Sequence, residues 1–213
     1  MVIDGWTLFG FLANAFFTIR VLIQWISSER AKKCLAPPSY WWFSLAGAAV
    51  MIIYSLERLF DEQFQDAPTP LPMLIGTIAS LVPYSRNLML NYKASRKWHI
   101  LSYIFGGGIL LFCVGLLLYM DVQLIRTNWI IVGSIGSVIW YSRFMWQWIY
   151  AEKEQRSEFP ISFWYVSLTG LGLNLIYSIA MGDIVFILQF IFNVIPISRN
   201  IMLMRNHGGR GIS

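Results

Sequence analysis

The sequence has few charged residues: Asp, Glu, Lys and Arg make up only 13% of its 213 residues, whereas soluble domains carry about 25%. It also has only two cysteines and two histidines, so neither a disulfide framework nor a Cys/His metal site is expected. Hydrophobic residues instead make up 57% of the chain, and its mean hydropathy is +0.57. This composition predicts an all-α, multi-pass membrane protein.

Long apolar runs alternate with short polar or proline-marked connections. A hydrocarbon core about 30 Å thick is crossed by roughly 20 apolar residues in a helix. Seven runs meet this requirement, at about 6–26, 40–59, 71–91, 100–120, 128–150, 161–180 and 183–204. The first has no basic region before it and no small-residue cleavage site after it, so we expect a retained span rather than a signal peptide.

Basic residues are unequally shared between alternate loops. Ten lie on one predicted side, and only Arg58 and Arg126 lie on the other. Because Lys and Arg accumulate in cytoplasmic loops, the N-terminus is predicted to be periplasmic and the C-terminus cytoplasmic. The net charge of +5 then reflects topology and some attraction to anionic lipids, and nucleic-acid binding is not expected.

The chain contains two copies of one unit. In three aligned blocks, 20 of 37 positions are identical. The matched pairs that define the repeat are Arg20 with Arg143, Gln24 with Gln147, Pro83 with Pro196, Arg86 with Arg199, and Asn87 with Asn200. Because each unit has three predicted spans, an unmatched span between them keeps the second unit in the same orientation as the first. The prediction is a parallel repeat of 3+1+3 helices, with a first repeat at 1–98, a linker helix at 99–124 and a second repeat at 125–213.

The repeated motif resembles a known family. The pattern Arg-x-x-x-Gln-Trp-x-x-x-Glu, a basic stretch, Pro, aromatic-Trp-x-x-Ser-Leu-x-Gly, Tyr-Ser and then Ser-Arg-Asn-Leu is similar to that of the lipid A biosynthesis N-terminal domain family. Such domains occur ahead of lipid-A-disaccharide synthase, or free-standing and associated with glycosyltransferases that use polyprenyl-phosphate sugars. The resemblance implies a bacterial inner-membrane protein of lipid A or envelope-glycan biosynthesis. The helix plan is also similar to PQ-loop and SWEET transporters, although the Pro-Gln dipeptide is absent.

Four arginines lie well inside predicted spans, at positions 20, 86, 143 and 199. An arginine at the bilayer centre costs roughly 2.5–3.5 kcal/mol on insertion scales and usually faces a bundle interior or a partner. The eleven acids all lie in predicted loops or close to the ends of predicted spans, and Glu29 and Glu152 are too few to neutralise four guanidinium groups. The set predicts a cationic cavity suited to phosphate or diphosphate. Snorkelling to the interface is the competing explanation, because each arginine is five or six residues from its predicted helix end.

Other polar residues are expected near these arginines. A glutamine four residues after an arginine shares its helix face, and the two tyrosines of the Tyr-Ser motif either line the same interior or bond across helices. The predicted substrate-binding residues are Arg20, Gln24, Arg86, Asn87, Arg143, Gln147, Arg199, Asn200, Tyr54 and Tyr177. Pro83 and Pro196 each remove a helix hydrogen bond and are the predicted hinges.

Three functional hypotheses remain open. The first is a flippase-like carrier that binds and translocates a polyprenyl-phosphate-linked sugar or a similar anionic lipid. The second is a non-catalytic membrane subunit that docks a glycosyltransferase or feeds it substrate. The third, a SWEET-like sugar carrier, is disfavoured by the four arginines. Because the sequence shows no carboxylate pair, nucleophile–base set or metal cluster, neither enzyme activity nor a cofactor is expected.

Overall fold

Six helices of full length occur in the part of the chain that the structure describes. The computed structural model describes residues 4–31, 36–61, 70–95, 128–154 and 159–206, with scattered positions between 97 and 115. The helices are α1 (Gly5–Ala31), α2 (Pro38–Phe60), α3 (Leu71–Asn91), α4 (Trp129–Glu154), α5 (Ile161–Met181) and α6 (Ile184–Asn206). No strand occurs in these ranges, so the all-helical prediction is confirmed for the described residues.

Four of the helices are long and apolar enough to cross a membrane, namely α1, α2, α5 and α6. Helices α3 and α4 coincide with the predicted spans at 71–91 and 128–150 but are not among those four. The predicted linker span at 100–120 lies mostly outside the described residues, although the positions described between 97 and 115 are helical. The seven-span 3+1+3 arrangement, the repeat boundaries and the orientation remain predictions.

Prolines and one glycine define several helix ends. Extended backbone at Pro37 and Pro160 precedes α2 and α5, and Pro70 precedes α3. Pro38 and Pro72 then lie in the first turns of α2 and α3, where proline fits because its fixed φ suits the helix and its missing N–H would have no partner there. Helix α5 ends at Gly182, whose φ of +69° is left-handed. Glycine adopts that conformation without a Cβ clash, which permits the tight turn into α6.

The helices pair in the same way in both repeats. Neighbours in sequence pack together within each repeat, and α1 also packs on α6 while α3 packs on α4. The first helix of each repeat therefore contacts the third helix of the other repeat. These two contacts, the α1–α6 seam and the α3–α4 seam, join the halves of the molecule.

Matched glycines bring the first two helices of each repeat close together. A Cβ on Gly47 would lie 2.6 Å from the ring of Phe17, and one on Gly170 would lie 2.6 Å from the backbone nitrogen of Trp140. The absent side chains permit this approach, as expected for small residues between membrane helices. Phe17 and Trp140 are equivalent in the repeat, and each precedes an arginine by three residues. Each glycine thus positions an aromatic ring beside an arginine.

Candidate functional site

Arg20 and Arg143 lie in the interior of the bundle, each with 4% of its surface exposed. Helix α1 continues to Ala31 and α4 continues to Glu154, so each arginine is eleven residues, or about 16 Å, from the end of its helix. The expected distance of five or six residues was wrong for these two. Because both side chains are buried among neighbouring helices rather than extended towards the helix end, snorkelling does not explain their position.

Aromatic rings surround both guanidinium groups. The Arg20 guanidinium carbon lies 4.5 Å from the ring centre of Phe17 and 6.0 Å from that of Phe144. The Arg143 carbon lies 3.3 Å from the ring centre of Trp140 and 4.6 Å from that of Phe144. Phe144 therefore contacts both cations from α4. Cation–π attraction of this kind grows stronger where water is excluded, and it holds the two charges in the interior.

The two arginines differ in their hydrogen bonds. Arg20 Nη1 donates to the Ser44 hydroxyl and to the Tyr84 hydroxyl, both at 3.1 Å. The position equivalent to Tyr84 in the second repeat is Ile197, which offers no acceptor. Within the described ranges, Arg143 has no hydrogen-bond acceptor, and no carboxylate forms an ion pair with either arginine.

A small cavity lies between these two side chains. It has a volume of about 20 Å³ and is lined by Arg20, Arg143, Trp164 and Pro196, among others. The Nε atoms of both arginines and Nε1 of Trp164 are buried without a hydrogen-bond partner. All three are donors, so the cavity presents unsatisfied N–H groups and two positive charges. Its volume suits about one water molecule, and a phosphate would enter only if the helices moved apart.

The predicted amide residues pair with each other across the two seams. Gln24 and Asn200 exchange two hydrogen bonds of 3.3 Å. Gln147 and Asn87 do the same at 2.8 and 2.9 Å. The structure thus brings these four predicted site residues together in two pairs. Each pair, here called an amide brace, joins one repeat to the other. Gln24 also lines the arginine cavity.

The second arginine of each motif is placed differently. Arg199 is 35% exposed and forms an ion pair with Glu29. Arg86 is buried and has interaction partners of its own. The side chain of Glu152 lies outside the described residues.

The prolines predicted as hinges lie inside continuous helices, Pro83 in α3 and Pro196 in α6. The side-chain amides of Asn87 and Asn200 each donate to the carbonyl of the proline four residues earlier, at 2.8 Å. Each paired asparagine therefore connects a proline turn to the opposite repeat. Hinge motion at these positions remains a prediction.

The two predicted tyrosines lie away from the arginine cavity. Tyr177 is fully buried and packs on Gly133, where a Cβ would approach its ring to 2.6 Å. The Tyr54 hydroxyl donates to the Asp183 carboxylate at 2.7 and 2.9 Å. Tyr54 thereby joins α2 to the turn before α6, at the opposite end of the bundle from the amide pairs.

At that same end lies an ion-pair cluster that the sequence analysis missed, with Arg58 at its centre. The analysis placed Arg58 in a loop, whereas it is buried inside α2. Its guanidinium donates to both oxygens of Asp4, at 2.7 and 3.0 Å, and to Asp61 at 3.2 Å. The hydrogen bond from Arg58 holds the pKa of Asp4 well below its usual range. Only the spacing of Arg58 and Asp61 within one helix turn gave a sequence signal for this cluster.

Together, the long apolar helices indicate a polytopic membrane protein, and its bundle contains a small buried cavity lined by N–H donors and two positive charges. The chain belongs to the lipid A biosynthesis N-terminal domain family, whose sequence profile matches residues 9–89 and again 132–202. Two tandem copies of the domain are therefore present, and the family resemblance of the repeated motif is confirmed.

The curated relatives are longer proteins named lipid-A-disaccharide synthase. The chain is 32% identical over 212 residues to the one from Chlamydia felis, which covers 92% of this chain and 32% of that protein. The relative from Chlamydia pneumoniae is 30% identical, with 91% and 32% covered. The chain thus spans about a third of the length of these relatives, and the comparison supports involvement in lipid A biosynthesis at a membrane. No solved structure matches the chain.

Proposed function

We propose that this protein binds a phosphate-bearing lipid of lipid A or envelope-glycan biosynthesis through Arg20 and Arg143, and carries its head group across the membrane. A polyprenyl-phosphate-linked sugar is the specific substrate proposed. The observation that carries the proposal is the pair of buried guanidinium groups, neither of which is ion-paired with any described carboxylate.

The charge of this pair is the physical argument for an anion. Burial of an ion away from water costs several kcal/mol unless an opposite charge and hydrogen bonds compensate for it. Here, aromatic rings supply part of the compensation. The N–H donors without a partner are the groups to which a bound anion would supply the remaining hydrogen bonds. A phosphate fits because a guanidinium binds two of its oxygens at once.

A lipid is favoured over a soluble phosphate by the surroundings of the site. Arg20 lies in the middle of α1, a helix long and apolar enough to cross a membrane. The relatives, moreover, are named for an enzyme of lipid A synthesis. Because the cavity holds only about one water, entry of the head group requires α6 to move. Pro196 lies in α6 and lines the cavity, and it is the proposed hinge.

The test is to replace Arg20 and Arg143 singly with Gln and to measure binding of a labelled polyprenyl-phosphate sugar in nanodiscs, then its movement across proteoliposomes. We expect about tenfold weaker binding or more for each variant, because a charge-assisted pair contributes about 1.5–3 kcal/mol. Arg143→Gln should have the larger effect, since Arg143 has no acceptor among the described residues. The exposed Arg30, changed to Gln, is the control. Unchanged binding and transport in both cavity variants would refute the proposal.

A second candidate function is a membrane subunit that docks a glycosyltransferase or presents lipid to it. The observation that favours it is that the relatives extend well beyond the region shared with this chain and are named as a synthase. Co-purification of a glycosyltransferase from native membranes, together with no lipid movement by the isolated protein, would support this function over transport.

A further inference from the structure

A groove runs along the α1–α6 seam. Its deeper part has a volume of about 180 Å³ and is lined by Thr18, Val21 and Leu22 from α1 and by Gln189, Phe192 and Pro196 from α6. Leu22 and Phe192 are exposed large apolar residues, so the groove opens at the outer face of the bundle. In a membrane this face meets hydrocarbon rather than water.

The groove continues along α1 away from the arginines. A shallower part, of about 460 Å³, is lined by Phe11, Thr18 and Phe192, among others. From Trp25, at one end of the deeper part, to Phe11 is fourteen residues of α1, or about 21 Å. The groove therefore extends over roughly two-thirds of a hydrocarbon core about 30 Å thick.

One end of the groove meets the arginine cavity. Val21, Asn193 and Pro196 line both the groove and the cavity that contains Arg20 and Arg143. From Phe11 to Val21, an apolar channel about 15 Å long therefore leads to two buried positive charges. This is the arrangement that an amphiphile with an anionic head and a hydrocarbon chain requires.

The equivalent positions in the α3–α4 seam are filled. The ring of Tyr141 packs on Gly76, where a Cβ would lie 2.0 Å from the ring, and its hydroxyl lies 2.7 Å from that of Thr77. The repeat matches Tyr141 with Thr18 and Gly76 with Gln189, two residues that line the groove. A large ring in one seam is therefore replaced by a small side chain in the other.

We infer that the α1–α6 groove binds the hydrocarbon chain of the lipid whose phosphate lies between Arg20 and Arg143, and that Tyr141 prevents the same use of the α3–α4 seam. This inference rests on the proposed function. It makes the two repeats unequal: both supply a head-group arginine, but only one seam admits the chain. The lipid then enters and leaves the bundle from one side.

The test introduces the Tyr141 and Gly76 side chains at the equivalent positions of the α1–α6 groove. In the double variant Thr18→Tyr/Gln189→Gly, the ring would fill the groove as Tyr141 fills its own seam. The probes are a fluorescent long-chain alkyl phosphate and ethyl phosphate, with binding to each measured in nanodiscs. Leu12→Tyr, at an exposed position of α1, is the matched control.

We expect the wild type to bind the long-chain phosphate at least about tenfold more tightly than ethyl phosphate, because of chain burial. The double variant should lose most of that preference while its binding of ethyl phosphate is unchanged. Arg143→Gln should weaken binding of both probes, and Leu12→Tyr should alter neither.

The outcomes separate the two proposals. If the double variant keeps the wild-type preference for the long chain while Arg143→Gln weakens binding, the groove assignment is wrong and the head-group site stands. If Arg20→Gln and Arg143→Gln both bind like the wild type, the proposed function itself fails. Should the double variant not fold, the wild type is photolabelled with an alkyl phosphate that carries a diazirine on its chain. Label on α1 and α6 supports the inference, and label confined to α3 and α4 overturns it.

Discussion

Two regions of the molecule bury arginine to the same extent but surround it in opposite ways. Arg58 is 3% exposed and is held by Asp4, Asp61 and Glu57, with the Tyr54 hydroxyl on its Nε. Arg143 is 4% exposed and, among the described residues, contacts aromatic rings and no carboxylate. The buried arginine that is paired with acids, Arg58, is therefore the one that joins helix ends.

The difference indicates separate roles for the two regions. At Arg58, the ion pairs join the start of α1 to the end of α2, and Tyr54 extends the contact to Asp183 before α6. Those contacts satisfy the charge and stabilise the fold. At Arg143, the donors remain unsatisfied, which lowers stability unless a ligand supplies an anion. Binding sites commonly sacrifice stability in this manner.

The largest expected effect is the difference in stability between two variants, in which Arg58 or Arg143 is replaced by Met. Arg58→Met should destabilise the protein by about 3–5 kcal/mol, because it leaves buried carboxylate and hydroxyl groups without their partner. Arg143→Met should be neutral or stabilising, since it removes a buried charge that no described group neutralises. Thermal unfolding in detergent, without added lipid, measures both. Equal losses of stability would break the comparison.

The contact between Gly170 and Trp140, the residue that packs against Arg143, gives the next largest expected effect on stability. A Cβ on Gly170 would lie 2.6 Å from the backbone of Trp140, which has no way to rotate aside, and overpacking of this kind costs about 1–3 kcal/mol. Gly170→Ala should lower the unfolding temperature and also weaken binding of the phosphate lipid, because Trp140 lies against Arg143. Gly172→Ala is the matched control, as a Cβ there meets nothing within 4 Å. Equal behaviour of the two variants would show that the glycine does not set this contact.

The sequence predicted the elements of the site better than their pairing. Family, repeat and helical segments followed from motifs and apolar runs, which are local signals. The ring stacking of Arg143 on Trp140 was not predictable, because it depends on the approach of α5 at Gly170. The bonds from Gln24 to Asn200 link residues 176 positions apart, and nothing local specifies such a partner. Arg58 was misplaced since a count of loop charges takes no account of a buried ion pair at a helix end.

Breaking the Gln–Asn hydrogen bonds across the two seams should lower stability by a smaller amount, and the loss should differ between the seams. The Asn87–Gln147 bonds, at 2.8 and 2.9 Å, are shorter than the Gln24–Asn200 bonds at 3.3 Å. Hydrogen bonds near 2.9 Å are close to the optimum for N–H to O contacts. Asn87→Leu should therefore cost about 1–2 kcal/mol, and Asn200→Leu should cost less.

Double-mutant cycles with Gln147→Leu and Gln24→Leu isolate the two pairwise energies. A larger coupling for the first pair is expected. This result would also agree with an α1–α6 seam that opens more readily than the α3–α4 seam. The reverse order would contradict the assignment of α1–α6 as the mobile side.

The smallest expected effect is the pH dependence of the Arg58 cluster. Because Arg58 lowers the pKa of Asp4 in the folded protein, the unfolded chain takes up a proton on this group at higher pH than the native state does. The stabilisation is complete above the unfolded pKa of about 4 and is lost as the pH falls through the lower native pKa. Asp4→Asn should reduce the decrease in unfolding temperature between about pH 5 and pH 3. The partial exposure of Asp4 keeps this change small, and an identical acid profile in wild type and variant would show that the ion pair contributes nothing measurable.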